Sequence, residues 1–497
     1  MSAEQKADGR SPDHRATSGK LGTFDVTSLV VGSIIGADIY VATAISSRLV
    51  GPASLVIWIA AGMMALIIAI SFAYCVMALP RVGGPYAFVT AVSSPFPGFM
   101  IGWALLLAEW LSLAVFPVAF AQYFIALVPG VGTLGQVMLK ALFIVIIVVT
   151  NVVGIKTAGR SNDALTLIKL SPLVLIIFGG LAFMGADPAT VANNLSPFLT
   201  GGLAQLGQAL VLIFWAYAGF ELSTLPTDEV DQPERTVPKA IVAGMLIVMS
   251  FYLLTNLVVV ASLPQSVLKA SSSPLLDATR SIFSIAGNGA SGLVLFVGVG
   301  ALLSIMGADE SGTLGTSRLA YAMSLDGLLP HQLARKHRRF HTPYLAIIAL
   351  SLTAFVASLV GGLSTLINAA VFLLALVYLA TCISAIFLLR KDRKLASRLR
   401  GRRVIPLAGA GFSILLLVLV DPLLWLVGLA LLAVGVPIYI YFSPRQELKE
   451  MREAFYSPES MRARMRHESR RFLALPVHLT RHLYDSLQTR RRIRKGR

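Results

Sequence analysis

The chain has 497 residues, is 56% hydrophobic and 13% charged, and carries a formal net charge of +17. Apolar runs of about 20 residues, each sufficient for a membrane helix, recur along its length and exclude a soluble enzyme with one large core. The charge is not a nucleic-acid signal: residues 390–403 and 443–497 supply sixteen of the seventeen net charges, and the positive-inside rule with attraction to anionic lipid accounts for clusters so placed.

Twelve spans are expected, at 24–49, 52–79, 97–127, 138–154, 164–184, 203–225, 239–262, 290–322, 343–360, 364–389, 404–420 and 422–442. The first follows a polar segment holding Lys6, Arg10, Arg15 and Lys20. It is too long for the apolar core of a signal peptide, so no cleaved leader is expected. Alternate loops divide by charge. Arg81, Lys156 with Arg160, Arg235 with Lys239, the Arg335–Arg339 loop and the 390–403 cluster fall on one side, against sparse Arg48, Lys140, Lys269 and Arg280 on the other. This predicts a multi-pass protein with both termini cytoplasmic, and the compact loops suit a plasma (inner) membrane.

Span 1 contains Val31-Gly32-Ser33-Ile34-Ile35-Gly36-Ala37-Asp38-Ile39-Tyr40, where two glycines and an acid predict a broken helix. In hydrocarbon such a break is tolerated only where it is buried or lines a cavity. A carboxylate at that depth is by default functional, and a glycine-interrupted span points to a transporter's binding site. Cys75 and Cys382 lie in apolar spans and read as core packing rather than a disulfide or metal pair.

After span 2 comes Pro80-Arg81-Val82-Gly83-Gly84-Pro85-Tyr86. Four further segments follow: Asn151-Val152-Val153-Gly154-Ile155-Lys156 running on to Lys169, Phe214 to Glu221, Asp228 to Pro238, and Ser317 to Ala322 continuing to Asp326-Gly327-Leu328-Leu329-Pro330. In order and spacing these resemble the amino acid–polyamine–organocation (APC) transporter superfamily over residues 20–440. The resemblance implies an all-α polytopic membrane protein with a LeuT-type fold: twelve transmembrane helices, spans 1–5 and 6–10 as inverted repeats, spans 1 and 6 broken, and spans 11 and 12 as scaffold or dimer surface. Ala218-Gly219, midway along span 6, matches Gly36-Ala37 in span 1. The organisation expected is a tail at 1–20, a core at 21–442 (repeats at 21–185 and 203–390, the last two spans at 404–442), and a basic cytoplasmic tail at 443–497. Within the tail, 470–497 mixes Phe472, Leu473, Leu479 and Tyr484 with arginines, which suits either a helix on the inner leaflet or a disordered basic segment.

The resemblance implies a cargo site between the two breaks. Freed amides at a half-helix N-terminus suit an anion, and in amino-acid-carrying relatives they hold the cargo's carboxylate. Here Gly36-Ala37-Asp38 replaces the family's third glycine with an acid. Asp38 is satisfied by Lys169, binds a cargo ammonium, or couples protons; the sequence leaves all three open. The resemblance also implies that Lys169 in span 5 stands where sodium-coupled relatives hold their ion; a buried lysine can exchange a proton, the alternative being that it snorkels to the cytosolic face. Of Asp309-Glu310 in span 8, about 100° apart on a helix, Asp309 is preferred as the inward partner. The candidate cargo-binding residues are Ile35, Gly36, Ala37, Asp38, Phe214, Trp215, Tyr217, Ala218 and Gly219, with Trp103 from span 3. Lys169, Asp38 and Asp309 are candidates for proton coupling, and Glu221 and Glu109 for gating or packing. His331, His337 and His341 read as solvated.

The function this reading favours is proton-coupled transport of an amino acid or amine by alternating access. The excess of interior acids moves it toward a cationic cargo such as a polyamine. An exchanger, an inorganic-cation carrier, or a non-transporting membrane sensor acting through the tail are the competing readings. Protons, the small solute, anionic lipid at the tail and a second copy in a homodimer are the expected partners. No cofactor, metal, nucleic acid or enzymatic activity is expected.

Overall fold

The structure, a computed structural model, describes residues 20–154, 159–225, 227–284, 288–399 and 401–443. All of the expected tail at 1–20 but Lys20, all of the expected tail at 443–497 but Ser443, and the loop lysine Lys156 lie outside the described residues. Each of the twelve expected runs coincides with helix. Span 1 forms α1 (Thr23–Ile34) and α2 (Ala37–Val50), span 2 is α3 (Ser54–Ala78), and the Gly-Gly-Pro-Tyr segment opens a short α4 (Pro85–Val92). Spans 3 to 5 are α5 (Pro95–Leu127), α6 (Thr133–Val153) and α7 (Gly159–Ala186), followed by a short α8 (Pro188–Asn194). Span 6 begins as α9 (Leu203–Trp215) and ends in a 3-10 turn at Phe220–Thr224. Span 7 is α10 (Pro233–Ser262), followed by the short helices α11 (Gln265–Ala270) and α12 (Pro274–Ile282). Span 8 is α13 (Asn288–Leu325), and α14 (Tyr344–Val360) and α15 (Leu363–Lys391) are spans 9 and 10. A short α16 (Arg393–Arg398) leads to α17 (Val404–Leu419) and α18 (Pro422–Phe442).

Among the described residues nine helical stretches are long and apolar enough to cross a membrane, and α1, α14 and α17 are shorter apolar helices. The described residues contain no strand, only an isolated bridge between Leu21 and Val230. The chain is an all-α polytopic membrane protein.

Burial grades the helices. The most apolar window of α5 is 78% buried and that of α15 67%, against 22% in α6 and 17% in α18. The centre is therefore α5 and α15, with α3 packed on α10 and α15, and α1 wedged against α10 and α7. The rims of α6, α17 and α18 present Leu142, Val145, Leu407, Leu423 and Leu426 outward, the surface expected of helices facing lipid. These helices belong to a unit spanning Met1–Tyr439; a second unit, Ile440–Arg497, is described only over its first four residues.

Candidate functional site

The break in span 1 falls at Ile35-Gly36. Gly32 stays inside α1, and Asp38 lies in the first turn of α2 rather than at the break. In an unbroken helix the carbonyls of Gly32 and Ile34 would accept from the amides of Gly36 and Asp38. The break orphans both, and in a membrane interior each needs a partner. Lys169 Nζ donates to the Gly32 carbonyl at 3.0 Å and Tyr252 Oη to the Ile34 carbonyl at 2.9 Å. Two side chains thus hold open what the sequence breaks.

The second break runs from Ala216 to Gly219, where 3-10 bonds replace the helical pattern. Gly219 sits at φ 118°, a left-handed conformation that only glycine adopts without strain. A Cβ there would lie 3.1 Å from the Ser33 carbonyl oxygen, so the backbones of the two breaks meet. Ser33 Oγ also donates to the Gly219 carbonyl at 3.2 Å. The two interrupted spans therefore form one site.

Two more close approaches fix its walls. At Gly36 a Cβ would overlap the Ala308 Cβ of α13 and stand 3.3 Å from Phe116 of α5. At Gly307 it would overlap Lys169 Cε. Small residues on α13 thus admit both the break of span 1 and the lysine's stem. Lys169 is 3% exposed; it does not snorkel to a surface, because the Gly32 carbonyl and the space above Gly307 hold it inside. Its charge acts on Asp38, which is itself 4% exposed and keeps Oδ2 without a hydrogen-bond partner. Asp309 is buried on α13 while Glu310, one position on, is only half-buried.

The expected cargo-binding residues separate into two groups. Ile35, Gly36, Ala37, Asp38, Phe214, Trp215, Tyr217 and Gly219 are all buried at or beside the breaks, with Ala218 half-buried. Trp215 Nε1 donates to Ser112 Oγ of α5 at 3.1 Å, and Phe116 tilts over its ring at 6.5 Å between centroids. Tyr217 Oη donates to the Trp58 carbonyl at 3.0 Å, and Phe214 packs edge-on to Tyr378. Trp103 does not join them. Its Nε1 donates to the Leu431 carbonyl at 3.1 Å and its ring stacks on Phe99 against the glycine at 435, so it cements α5 to α18. The sequence shows an aromatic on span 3 but not which face of that helix it occupies.

Glu109 of α5 and Glu221 of the 3-10 turn are 6% and 0% exposed. Glu221 Oε2 accepts the Gly219 amide at 3.0 Å. Among the described residues no group of three or more His, Cys, Asp and Glu is arranged to hold a metal ion. Cys75 and Cys382 are buried free thiols. His337 stacks on Phe340 at 4.8 Å and its Nδ1 accepts two backbone amides, so it braces its loop rather than standing free in solvent.

The residues that the sequence did not single out are Tyr252, Gly307, Ala308 and Tyr378. Tyr252 carried a signal, a hydroxyl deep in the apolar run of span 7 beside Asn256. The small residues of α13 carried none, since their importance is the space they leave.

Polar contacts tie helix ends together on both sides of the bundle. At the end bearing Arg81 and the 335–339 loop, Leu21 pairs through its backbone with Glu229 and Asp231, and Arg318 pairs with Glu229 at 3.2 Å. At the other, Arg48 donates to the Ser271 carbonyl at 3.0 Å, and Asp277 binds Ser271 Oγ and Arg280 at 2.5 and 2.7 Å.

The family model described as "Amino acid permease" matches residues 21–443. A methylthioribose transporter of Bacillus subtilis is 27% identical over 86% of this chain and 94% of its own length. The branched-chain amino acid permease BcaP of the same organism is 27% identical over 86% and 95%. The human cystine/glutamate transporter is 28% identical over 69% and 68%.

Proposed function

The chain belongs to the amino acid permease family, within the APC superfamily, and from that premise we propose that it is a proton-coupled secondary transporter of a small amine-bearing solute. It works by alternating access across the plasma membrane, with both termini on the cytoplasmic side. The two inverted repeats are residues 21–185 and 203–390, and the cargo sits between the breaks of spans 1 and 6.

The observation that carries the reading is the pair Lys169 and Asp38. Lys169 occupies the break by donating to the Gly32 carbonyl, and Asp38 leaves a buried carboxylate oxygen unpartnered at the N-terminus of α2. An unpartnered buried acceptor costs free energy until a donor arrives. A cargo ammonium supplies that donor, and this favours cationic amino acids or polyamines over neutral amino acids. Lys169 exchanges a proton with Asp38 or Asp309 as the site opens and closes, and no sodium ion is needed where the Lys169 ammonium stands. The relatives' printed cargoes, a thioribose, branched-chain amino acids and cystine with glutamate, differ enough that kinship alone does not select one. The basic tail meets anionic lipid, and the exposed apolar rims of α17 and α18 offer a homodimer surface.

The test is ligand-induced stabilisation of the purified protein, since a ligand that binds only the folded state raises its apparent stability by mass action. L-Arginine, putrescine, L-leucine and sodium chloride are compared on wild type and Asp38→Gly. The proposal expects L-arginine or putrescine to stabilise wild type and not Asp38→Gly. Equal stabilisation of both proteins by L-leucine overturns the cationic assignment. Stabilisation by sodium chloride alone favours an inorganic-cation carrier.

A further inference from the structure

The segment joining spans 7 and 8 takes no part in the cargo site or the coupling set, yet its polar groups are bonded in an ordered way. Ser271-Ser272-Ser273-Pro274 divides it. α11 ends at Ala270, and α12 opens on Pro274, whose missing amide costs nothing in a first turn. The two short helices go to different neighbours. α11 packs against α2, whereas α12 lies chiefly on α13, with Leu275, Leu276 and Ala278 fully buried. Ser271 and Ser273, at the bend between them, are buried as well.

Four hydrogen bonds run end to end through this bend. Arg48, in the last turn of α2, donates to the Ser271 carbonyl at 3.0 Å. Ser271 Oγ accepts the Ser273 amide at 3.1 Å and donates to Asp277 Oδ2 at 2.5 Å. Asp277 Oδ1 accepts from Arg280 at 2.7 Å, and the same guanidinium donates to the Ala126 carbonyl, near the end of α5, at 3.3 Å. Asp277 is thus the middle link. Each of its oxygens serves a different partner, which a carboxylate does and an amide, with one acceptor oxygen, does not. A cavity of about 440 Å³, lined by Ser266, Val267, Ala270, Ser271 and Asp277, borders this link, so space rather than packed side chains lies beside it.

We propose that residues 265–282 form a strap between the end of α2 and the end of α5, and that Asp277 is the joint that holds its two helices together. The links stand in series. A bond lost at any of them frees the bend at 271–273, after which α11 follows α2 while α12 stays on α13. No covalent bond changes. Under the transporter reading the strap sets how readily spans 1 and 3 part on the face away from the basic loops. That use rests on the reading; the strap itself is a property of the folded chain.

The experiment is hydrogen–deuterium exchange of the full-length protein in lipid nanodiscs without cargo, read by mass spectrometry. Exchange follows the opening equilibrium of each segment. Arg48→Gln, Ser271→Ala, Asp277→Asn and Arg280→Gln are compared with wild type. Each is expected to speed exchange across 265–282 by about twofold to tenfold, the worth of one hydrogen bond. The effect also reaches the opposite anchor: Arg280→Gln speeds exchange in the last turn of α2, and Arg48→Gln in the last turn of α5. Ser271→Ala/Arg280→Gln together add nothing to the larger single effect. Exchange unchanged, exchange faster only beside each substitution, or effects that multiply in the double variant overturn the proposal. Should Asp277→Asn fail to fold by size-exclusion chromatography, Ser271→Ala decides, since it removes one hydroxyl and leaves every charge in place. A wild type that transports nothing leaves this result standing, so the two readings fail separately.

Discussion

Replacing Gly36 with alanine tests the geometry of the site at its tightest point. Gly36 has φ −157° and ψ −132°, outside the left-handed region, and the effect considered is one of space. The new methyl overlaps Ala308 Cβ, a short side chain that cannot swing aside, and presses on Phe116 and Asp38 Oδ2, each 3.3 Å away. Forcing one methylene-sized group into a packed interior costs about 1–3 kcal/mol. Ala308→Gly removes the obstructing methyl and by itself costs about 1 kcal/mol of helix propensity. In Gly36→Ala/Ala308→Gly the two atoms no longer collide, so most of the first cost is recovered. A double-mutant cycle on unfolding in mixed detergent micelles should therefore return a favourable coupling of about 1–2 kcal/mol. The reasoning is refuted if the two costs add, because the break would then not lie against α13 as described.

The other predictions follow the same logic. Tyr252→Phe strips the donor from the Ile34 carbonyl and should destabilise by about 1–3 kcal/mol, the cost of an orphaned buried acceptor, read by the same unfolding titration; no change would mean that the freed carbonyl has another partner. Gly307→Val should displace Lys169 from the Gly32 carbonyl, and its effect on ligand-induced stabilisation should match that of Lys169→Met; divergent effects would separate the lysine from the space above Gly307. Gly219→Ala combines a left-handed backbone with a Cβ 3.1 Å from Ser33. It should cost at least about 1–2 kcal/mol and abolish probe binding, whereas Gly185→Ala, where a Cβ meets nothing within 4 Å, should leave binding intact.

The fold was legible because membrane helices are long and apolar, and their limits are set by charge and proline that a sequence displays. All twelve runs became helix, and the residues of both breaks could be read from Gly36 and from Ala218-Gly219. The site was legible where a residue type is rare for its surroundings, as with an acid or lysine inside an apolar span. It was not legible where the decisive fact is orientation or vacancy. Trp103 looks like any pocket aromatic until α18 is packed against it, and Gly307 looks like any helix glycine until Lys169 passes over it. Asp38 shows a third kind of gap: its position in span 1 is plain, but only the fold reveals that it begins a helix rather than breaking one.

The most direct test of the account is uptake of labelled putrescine and L-arginine into liposomes containing the full-length protein, under an imposed inward proton gradient, for wild type and Asp38→Asn. The account predicts gradient-stimulated uptake of at least one probe by wild type, and its loss in Asp38→Asn. Uptake of L-leucine alone, unaltered by Asp38→Asn and indifferent to the gradient, would contradict both the cationic cargo and the proton coupling.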